Sequence, residues 1–326
     1  MRVIRVYEQG DPDVMVLEDV ERPVPSEGQA LVEIEAAGVN MIDIQQRSGA
    51  YSVTLPYTPG TEGAGTVAEL GPGVTDPSVG DRVAFAMVRG TYAESALVPA
   101  HRLVPVPEGI STETAGAVLL QGMTAHFLVD SIAPLEEGDV VVVHSAAGGV
   151  GLLLTQMAAA RGLIVVGTTS TERKAELARE AGAADVVVRG TRQLPEVARA
   201  RGDGSGARIV FDSIAKDTFE DSLASLGRRA TLVVFGQSSG PVPPFDIRRL
   251  QDPGSVFLTR PGLGDYTATR EELLRRADAV FSMVASGALD VRVHGRFPLE
   301  LAPEAHRELA SGTTTGKLLL TTASTG

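Results

Sequence analysis

The spacing of apolar positions changes along this chain, and the change divides it into two kinds of structure. Up to about residue 110, short stretches alternate apolar and polar, as in Ala30 to Ala36, Gly65 to Leu70 and Arg82 to Val88. They are cut by turn residues at Gly10-Asp11-Pro12, Pro25-Ser26-Glu27-Gly28, Gly71-Pro72-Gly73 and Val79-Gly80-Asp81, which predicts short strands in a compact, partly barrel-like β domain. Ser111 then offers an N-cap with Glu113 in the first turn of a helix over Thr114 to Leu120, and after Gly122 a second helix is expected over Thr124 to Ile132. From Asp139 onward the apolar residues come in blocks. Val140 to Val143 is a continuous run suited to a strand buried on both faces. Val150, Leu153, Leu154, Met157 and Ala158 follow at helical spacing until Arg161 and Gly162, and Leu163 to Gly167 forms a second apolar strand. The alternation continues through strands at Asp185 to Val188, Arg208 to Asp212, Ala230 to Phe235 and Ser255 to Thr259, with helices near Leu194 to Arg201 and Thr218 to Leu226. About six strands with intervening helices predict an α/β, doubly wound parallel sheet. The tail, with helices at Arg270 to Ser286 and Pro303 to Ser311 and strands at Val291 to Phe297 and Lys317 to Thr321, returns to the first domain. The expected division is residues 1–123 with 260–326, and 124–259.

Between the first two apolar strands of the second domain lies HSAAGGVG, residues 144–151. Strand, glycine turn, helix and strand within about thirty residues form the context of a dinucleotide site, which the glycine letters alone would not supply. The unpaired N–H groups and positive dipole end of the helix face a pyrophosphate, the glycines Gly148, Gly149 and Gly151 let the backbone approach it, and Ala147 and Val150 of the same turn are expected beside the cofactor. Ala146 occupies the first glycine position of G-x-G-x-x-G, so the match is imperfect, and a turn that binds nothing fits the same letters. At the end of the second strand an NAD site has an acid for the ribose 2′-hydroxyl. Here stand Thr168, Thr169 and Ser170, followed by Arg173 and Lys174. Small hydroxyls beside cations suit a 2′-phosphate, which favours NADP (NADPH). Two readings compete with it: Arg173 and Lys174 as a solvated helix face, and Glu172 as a displaced ribose acid.

Composition narrows the classes. Aromatic residues are 4% with no tryptophan, so the core must be built from Val, Leu, Ala and Ile. No apolar run approaches the ~20 residues that span a bilayer, and Met1 leads directly into RVIRVYE without a signal region, so no membrane partner and a cytoplasmic location are expected. A net charge of −12 repels a phosphate backbone, which argues against nucleic acid. Cysteine is absent, and the five histidines show no close pairing; disulfides, thiolate nucleophiles and cysteine-ligated zinc are ruled out, and no metal site is expected. Ser255 to Thr259, SVFLT, is apolar and lacks residues that blunt a sheet edge, so a homodimer through residues 255–259 is expected.

Separated motifs across essentially the whole chain, GVNMIDIQQRSGAY (38–51), PGTEGAGTV (59–67), VGDRVAF (79–85), HSAAGGVG, FDSIAKDTF (211–219) and FGQSSG (235–240), carry a further reading. Together they resemble the zinc-free quinone oxidoreductase branch, including the zeta-crystallins, of the medium-chain dehydrogenase/reductase superfamily. The resemblance implies a GroES-like catalytic domain beside a Rossmann domain. In zinc alcohol dehydrogenases of this superfamily a cysteine stands where this chain has Asn40, and a histidine where it has Thr61, with Glu62 retained. The resemblance therefore implies no catalytic zinc and an acceptor that is already electrophilic: a quinone or similar enone. It further implies that Asn40, Asp43 and Tyr51 lie near the nicotinamide and substrate. On that reading the Asn40 amide and Tyr51 hydroxyl donate to the carbonyl oxygen as it gains charge; helix capping by Asn40 and Asp43, and packing by Tyr51, are the plainer readings. Gln121, Thr124, Phe235, Gly236, Ser238 and Ser239 are expected beside the cofactor. Arg189 stands where relatives often have a tyrosine near the adenosine, and Lys317 at a family-like position near the cofactor, with solvent exposure the alternative for each. A 2-enoyl reductase acting on a thioester or alkenal, and an NADPH-binding redox sensor or structural protein, are the competing functions.

Overall fold

A computed structural model describes residues 1–322 of the chain. Its contacts separate two compact units: residues 1–123, 267–287 and 291–322, and residues 124–266 with 288–290.

The first unit begins with the antiparallel pair β1 (Arg2–Val6) and β2 (Met15–Asp19). The eleven-residue β3 (Gln29–Val39) follows, and Asn40 turns the chain into helix α1 (Met41–Arg47). Next come β4 (Glu62–Leu70), β5 (Arg82–Ala86), β6 (Ser95–Pro99) and β7 (Val104–Pro105). Helix α2 (Thr112–Ser131) leads out of this unit.

The second unit holds β8 (Val140–Val143), α3 (Gly149–Ala160), β9 (Ile164–Thr169), α4 (Glu172–Glu180), β10 (Asp185–Val188), α5 (Leu194–Arg201), β11 (Ala207–Asp212), α6 (Phe219–Ser225), β12 (Leu226–Val234) and β13 (Phe257–Thr259). The chain then returns with α7 (Arg270–Ala285), β14 (Val293–Pro298), α8 (Ala302–Ala310) and β15 (Lys317–Thr321).

In the first unit a seven-stranded sheet runs β14-β15-β3-β4-β5-β7, with β6 also paired to β3. The alternation along these strands turns Val32, Ile34, Val67, Val83, Phe85, Leu318 and Leu320 into one core, which α8 closes with Ala302 and Ala305. In the second unit six parallel strands run β10-β9-β8-β11-β12-β13. The apolar runs of β8 and β11 are central, and their helices complete the core with Leu194, Val197, Phe219 and Leu223. Strand order reverses direction between β8 and β11, the switch point at whose carboxyl ends α/β sheets bind ligands.

Two local expectations are corrected. In place of short helices on either side of Gly122, α2 is one continuous helix of 20 residues. A Cβ at Gly122 would lie 2.7 Å from Val280 Cγ1 of α7, so the glycine serves close packing between helices rather than a break. The last strand of the parallel sheet covers only Phe257–Thr259, not 255–259. Ser255 has φ +60°, and the Val256 N–H is taken by the Leu250 carbonyl at 2.9 Å, so neither residue extends the ladder. Phe257 remains 62% exposed on this edge strand. Among the described residues no helix is long and apolar enough to cross a membrane.

Candidate active site

In the second unit the four buried valines of β8 deliver the chain to its glycine turn. The residue with positive φ is Ser145 (φ +55°), one position before Ala146. The imperfect glycine pattern has its reason here, because Ala146 needs no left-handed backbone and instead donates its N–H to Thr168 O at 3.0 Å. Gly148 is the N-cap of α3 and offers no side-chain cap, which leaves the first N–H groups of the helix to a ligand. At Gly151 a Cβ would run into the Ser145 carbonyl and come within 2.9 Å of Ala146 Cα, so only glycine lets α3 pack onto the turn. Ala147 is buried, while Gly149 and Val150 are half-buried at the helix start.

The adenosine-side candidates converge at the end of β9. Thr168 is half-buried, and Ser170 and Arg173 are exposed. Thr171 caps α4 by accepting the Lys174 N–H at 3.3 Å, and partial burial lowers the Lys174 side-chain pKa. The Arg189 N–H reaches Thr169 O at 2.9 Å, extending the β9–β10 pairing and bringing an exposed arginine beside this strand end. Glu172 is bound instead by Arg179 at 2.6 Å, a surface pair that occupies the one acid weighed for the ribose. At the far end of the sheet, Phe235 and Gly236 approach the Asp212 and Ser213 backbone, and Ser238 is exposed. The Ser239 hydroxyl donates to Ile214 O at 2.7 Å and accepts the Asp217 N–H at 3.0 Å, so it holds two loops together. Thr124 is half-buried on α2.

The first unit gathers its candidates into a buried polar centre that sequence reasoning largely missed. Lys317, expected beside the cofactor or in solvent, is 1% exposed. Its ammonium donates to Asn40 Oδ1 at 2.8 Å and is ion-paired with Glu62, itself 0% exposed. A Cβ on Gly38 would collide with both partners, so β3 carries a glycine where the pair crosses it. The other Glu62 oxygen accepts the Leu120 N–H at 2.6 Å. Both hydrogens of the Asn40 amide are committed, to Gly38 O at 3.3 Å and Glu62 Oε2 at 3.1 Å, while Gln121 Nε2 approaches Asn40 Oδ1 at 3.4 Å. The oxyanion role expected of Asn40 is therefore corrected: its amide has no hydrogen left for a substrate.

Asp43 is likewise enclosed, at 0% exposure, and forms the N-terminal capping box of α1. Its oxygens accept the Asn40 N–H at 2.9 Å, the Thr61 hydroxyl at 2.9 Å and the Tyr92 hydroxyl at 3.3 Å. Burial pushes its carboxyl up to about 7, against the opposing pull of those hydrogen bonds. The Tyr92 hydroxyl also lies 2.9 Å from His306 Nε2, and burial drives the His306 imidazole down to about 3. Tyr51 stands just beyond α1, half-buried, with its backbone N–H on Gln45 O at 2.9 Å.

The donor set does not fit zinc. Thr61 gives its proton to Asp43, and Asn40 Oδ1 and Glu62 already hold an ammonium. Among the described residues no group of three or more His, Asp and Glu side chains is placed to hold a metal ion.

Two predictions follow from this centre. Lys317→Met leaves Glu62 buried without its counter-ion and is expected to destabilise the first unit by about 3–5 kcal/mol; adding Glu62→Gln should recover part of that loss in chemical denaturation, and full stability of the single variant would contradict the pairing. The second concerns pH. A raised Asp43 pKa contributes stability present below its unfolded value and lost as pH rises toward about 7. A depressed His306 pKa contributes stability present above its unfolded value and lost as pH falls toward about 3. Between about pH 4 and 6.5 the two slopes oppose. Relative to wild type, Asp43→Asn should therefore gain stability with rising pH, by up to ~1.4 kcal/mol per unit, and His306→Gln should lose it; parallel profiles for all three proteins would refute the assignment.

Two family models divide the chain. The alcohol dehydrogenase GroES-like domain matches residues 26–108, and the zinc-binding dehydrogenase domain residues 149–279. A quinone oxidoreductase of Pseudomonas aeruginosa is 39% identical over 313 residues, covering 95% of this chain and 96% of its own. A 2-haloacrylate reductase of a Burkholderia species is 36% identical over 325 residues, covering 97% of each. The structure of the Escherichia coli quinone oxidoreductase complexed with NADPH superposes with a TM-score of 0.96 at 37% identity, over 98% of this chain and 100% of that one. With its parallel Rossmann-type sheet and GroES-like unit, this oxidoreductase belongs to the quinone oxidoreductase branch of the medium-chain dehydrogenase/reductase superfamily.

Proposed function

We propose that the chain transfers a hydride from NADPH to a quinone or similarly conjugated carbonyl compound, without zinc. The observation that carries this reading is the buried Lys317 ammonium between Asn40 and Glu62. It puts a fixed protein cation among the residues that stand where zinc enzymes of the superfamily keep their ligands. Alcohol oxidation would need a Lewis acid there, whereas a quinone is electrophilic without one. The E. coli relative solved with NADPH, and the gathering of Ser170, Lys174 and Arg189 around a strand end without an acid, support the cofactor assignment.

We assign residues 124–259 to dinucleotide binding and the remainder to the acceptor. The glycine turn and the start of α3 hold the pyrophosphate. Bound NADPH supplies the hydride; the quinone takes its two electrons, and with a proton from water becomes the hydroquinone. Tyr51 donates its hydroxyl to the acceptor oxygen as negative charge develops. Asn40 is a positioning residue that holds Lys317 and the Gln121 amide, and Asp43 in turn positions Asn40. A second reading is reduction of an alkene conjugated to a carboxylate, which the 2-haloacrylate reductase among the relatives favours. The hydride would then go to the β-carbon and a proton to the α-carbon.

An NADPH oxidation screen over quinones, haloacrylates, alkenals and enoyl thioesters separates these readings. Turnover with quinones is expected to survive strong chelators, and Tyr51→Phe to lower kcat about tenfold with little change in NADPH affinity. Haloacrylate turnover without quinone turnover would establish the second reading, and no turnover at all would favour a binding protein. For the cofactor, a charge-assisted bond to phosphate contributes roughly 1.5–3 kcal/mol. Lys174→Ala should thus weaken NADPH more than about tenfold and leave NADH nearly unchanged; equal losses would remove Lys174 from the phosphate. We also infer a homodimer in which β13, with exposed Phe257, pairs with its twin. Light scattering at micromolar concentration should give twice the chain mass, and the mass of one chain would exclude it.

A further inference from the structure

The carboxyl ends of three neighbouring strands carry a second buried hydrogen-bond chain. Asp212 ends β11, His144 follows β8 and Thr168 lies near the end of β9, and these strands are adjacent in the order β9-β8-β11. Asp212 is 0% exposed, and its Oδ1 accepts the backbone N–H groups of Ile214 at 2.8 Å and Ala215 at 2.9 Å. The Thr218 hydroxyl lies 2.8 Å from each carboxylate oxygen, and the Ser222 hydroxyl 2.7 Å from Oδ2. Oδ1 therefore accepts from the backbone, and Oδ2 accepts the Ser222 hydroxyl hydrogen. Ser222 gives its one hydrogen to Asp212 and therefore meets His144 Nε2, 2.9 Å away, with a lone pair. That nitrogen carries the ring proton. Burial lowers the His144 pKa, which keeps the ring neutral and leaves Nδ1 bare. Nδ1 lies 3.0 Å from Thr168 Oγ1 and takes the hydroxyl hydrogen. Half-buried Thr168 then has only lone pairs to present outward.

We propose that the Asp212–Ser222–His144 chain fixes Thr168 as a hydrogen-bond acceptor at the ribose 2′ position, which therefore takes a 2′-hydroxyl and gains nothing from a phosphate oxygen. The assignment rests on the dinucleotide reading above, in which the end of the second strand meets this ribose position. Thr168 contacts the cofactor, while His144, Ser222 and Asp212 are positioning residues that set its polarity. Preference for NADPH must then come wholly from the neighbouring Lys174, Ser170 and Arg189, and Thr168 sustains binding of NADH.

The test combines a spectroscopic and a binding measurement on the full chain. In protein labelled with 15N-histidine, and with His144 assigned by loss of its signals in His144→Gln, the wild type should show the neutral Nε2–H tautomer. An Nδ1–H tautomer or a doubly protonated ring would overturn the proposal. Thr168→Val should weaken NADH about 2- to 10-fold and change NADPH by less than about twofold. A larger loss for NADPH, or none for NADH, would overturn it. Ser222→Ala should move the proton to Nδ1, turn Thr168 into a donor, and raise the affinity for NADPH relative to NADH about 2- to 10-fold; an unchanged tautomer with an unchanged ratio would break the relay. Should Ser222→Ala fail to fold, the wild-type tautomer and Thr168→Val decide. If the wild type bound neither dinucleotide, the proposed function and this assignment would fall together, whereas NADPH binding beside an Nδ1–H ring would overturn this assignment alone.

Discussion

The first unit depends on the ion pair between Lys317 and Glu62. Two opposite charges at 1% and 0% side-chain exposure must find in protein what they lose in water, and the surroundings are arranged to supply it. Asn40 Oδ1 accepts from the ammonium, and the Asn40 amide and Leu120 N–H donate to the carboxylate. The pair thereby joins the first residue of β15, the first of β4, the turn after β3 and the middle of α2. Gly38 is small because the pair crosses β3 there. The position of α1, and with it the segment that carries Tyr51, follows from an Asn40 that the pair holds still. Replacing the pair with apolar residues of similar volume would satisfy stability, but it would release the Asn40 and Gln121 amides from fixed orientation. In this account the arrangement serves the site rather than the stability of the fold.

A second layer behind Asn40 shows the same economy of charge. Asp43 and His306 are both buried, and burial pushes each toward its neutral form. Tyr92 stands between them, within reach of both, and completes a line from α1 to α8. Burial thus limits the charge of this line, which lies near both the Lys317–Glu62 pair and the buried Arg47. In the second unit the Asp212 carboxylate plays the corresponding part, satisfied by two backbone N–H groups and two hydroxyls. Each unit thus places one well-satisfied buried carboxylate next to the residues proposed to meet ligand.

Much of the fold was legible because it is written in local period. The βαβ unit around the glycine turn, the parallel order of apolar strands and the return of the tail all follow from spacing that a few dozen residues contain. The break expected at Gly122 failed because glycine there answers to Val280, a neighbour brought by tertiary packing and invisible to helix propensity. The site was legible only in part, for the same reason. Lys317 reads as a cofactor neighbour or a solvated residue before a strand, and its partner Glu62 lies 255 residues away. Asn40 was expected to donate to substrate because its type and place suit that role; only the distances to Gly38 and Glu62 show that both hydrogens are committed. Asp212 did carry a signal that was passed over: an acid closing the wholly apolar run Ile209 to Phe211 must be buried, and a buried acid demands donors nearby. His144, beginning the glycine turn, is where one end of that demand leads.

The central claim is that a hydride leaves NADPH for a conjugated acceptor in a protein whose own lysine, not a metal, provides the fixed positive charge of the acceptor unit. Its most direct test is a single-turnover measurement with NADPH deuterated at the transferred position, mixed rapidly with protein of measured metal content and a quinone. The account predicts a primary isotope effect on NADPH oxidation in protein that contains far less than one zinc per chain. Oxidation that appears only in proportion to bound zinc would contradict it.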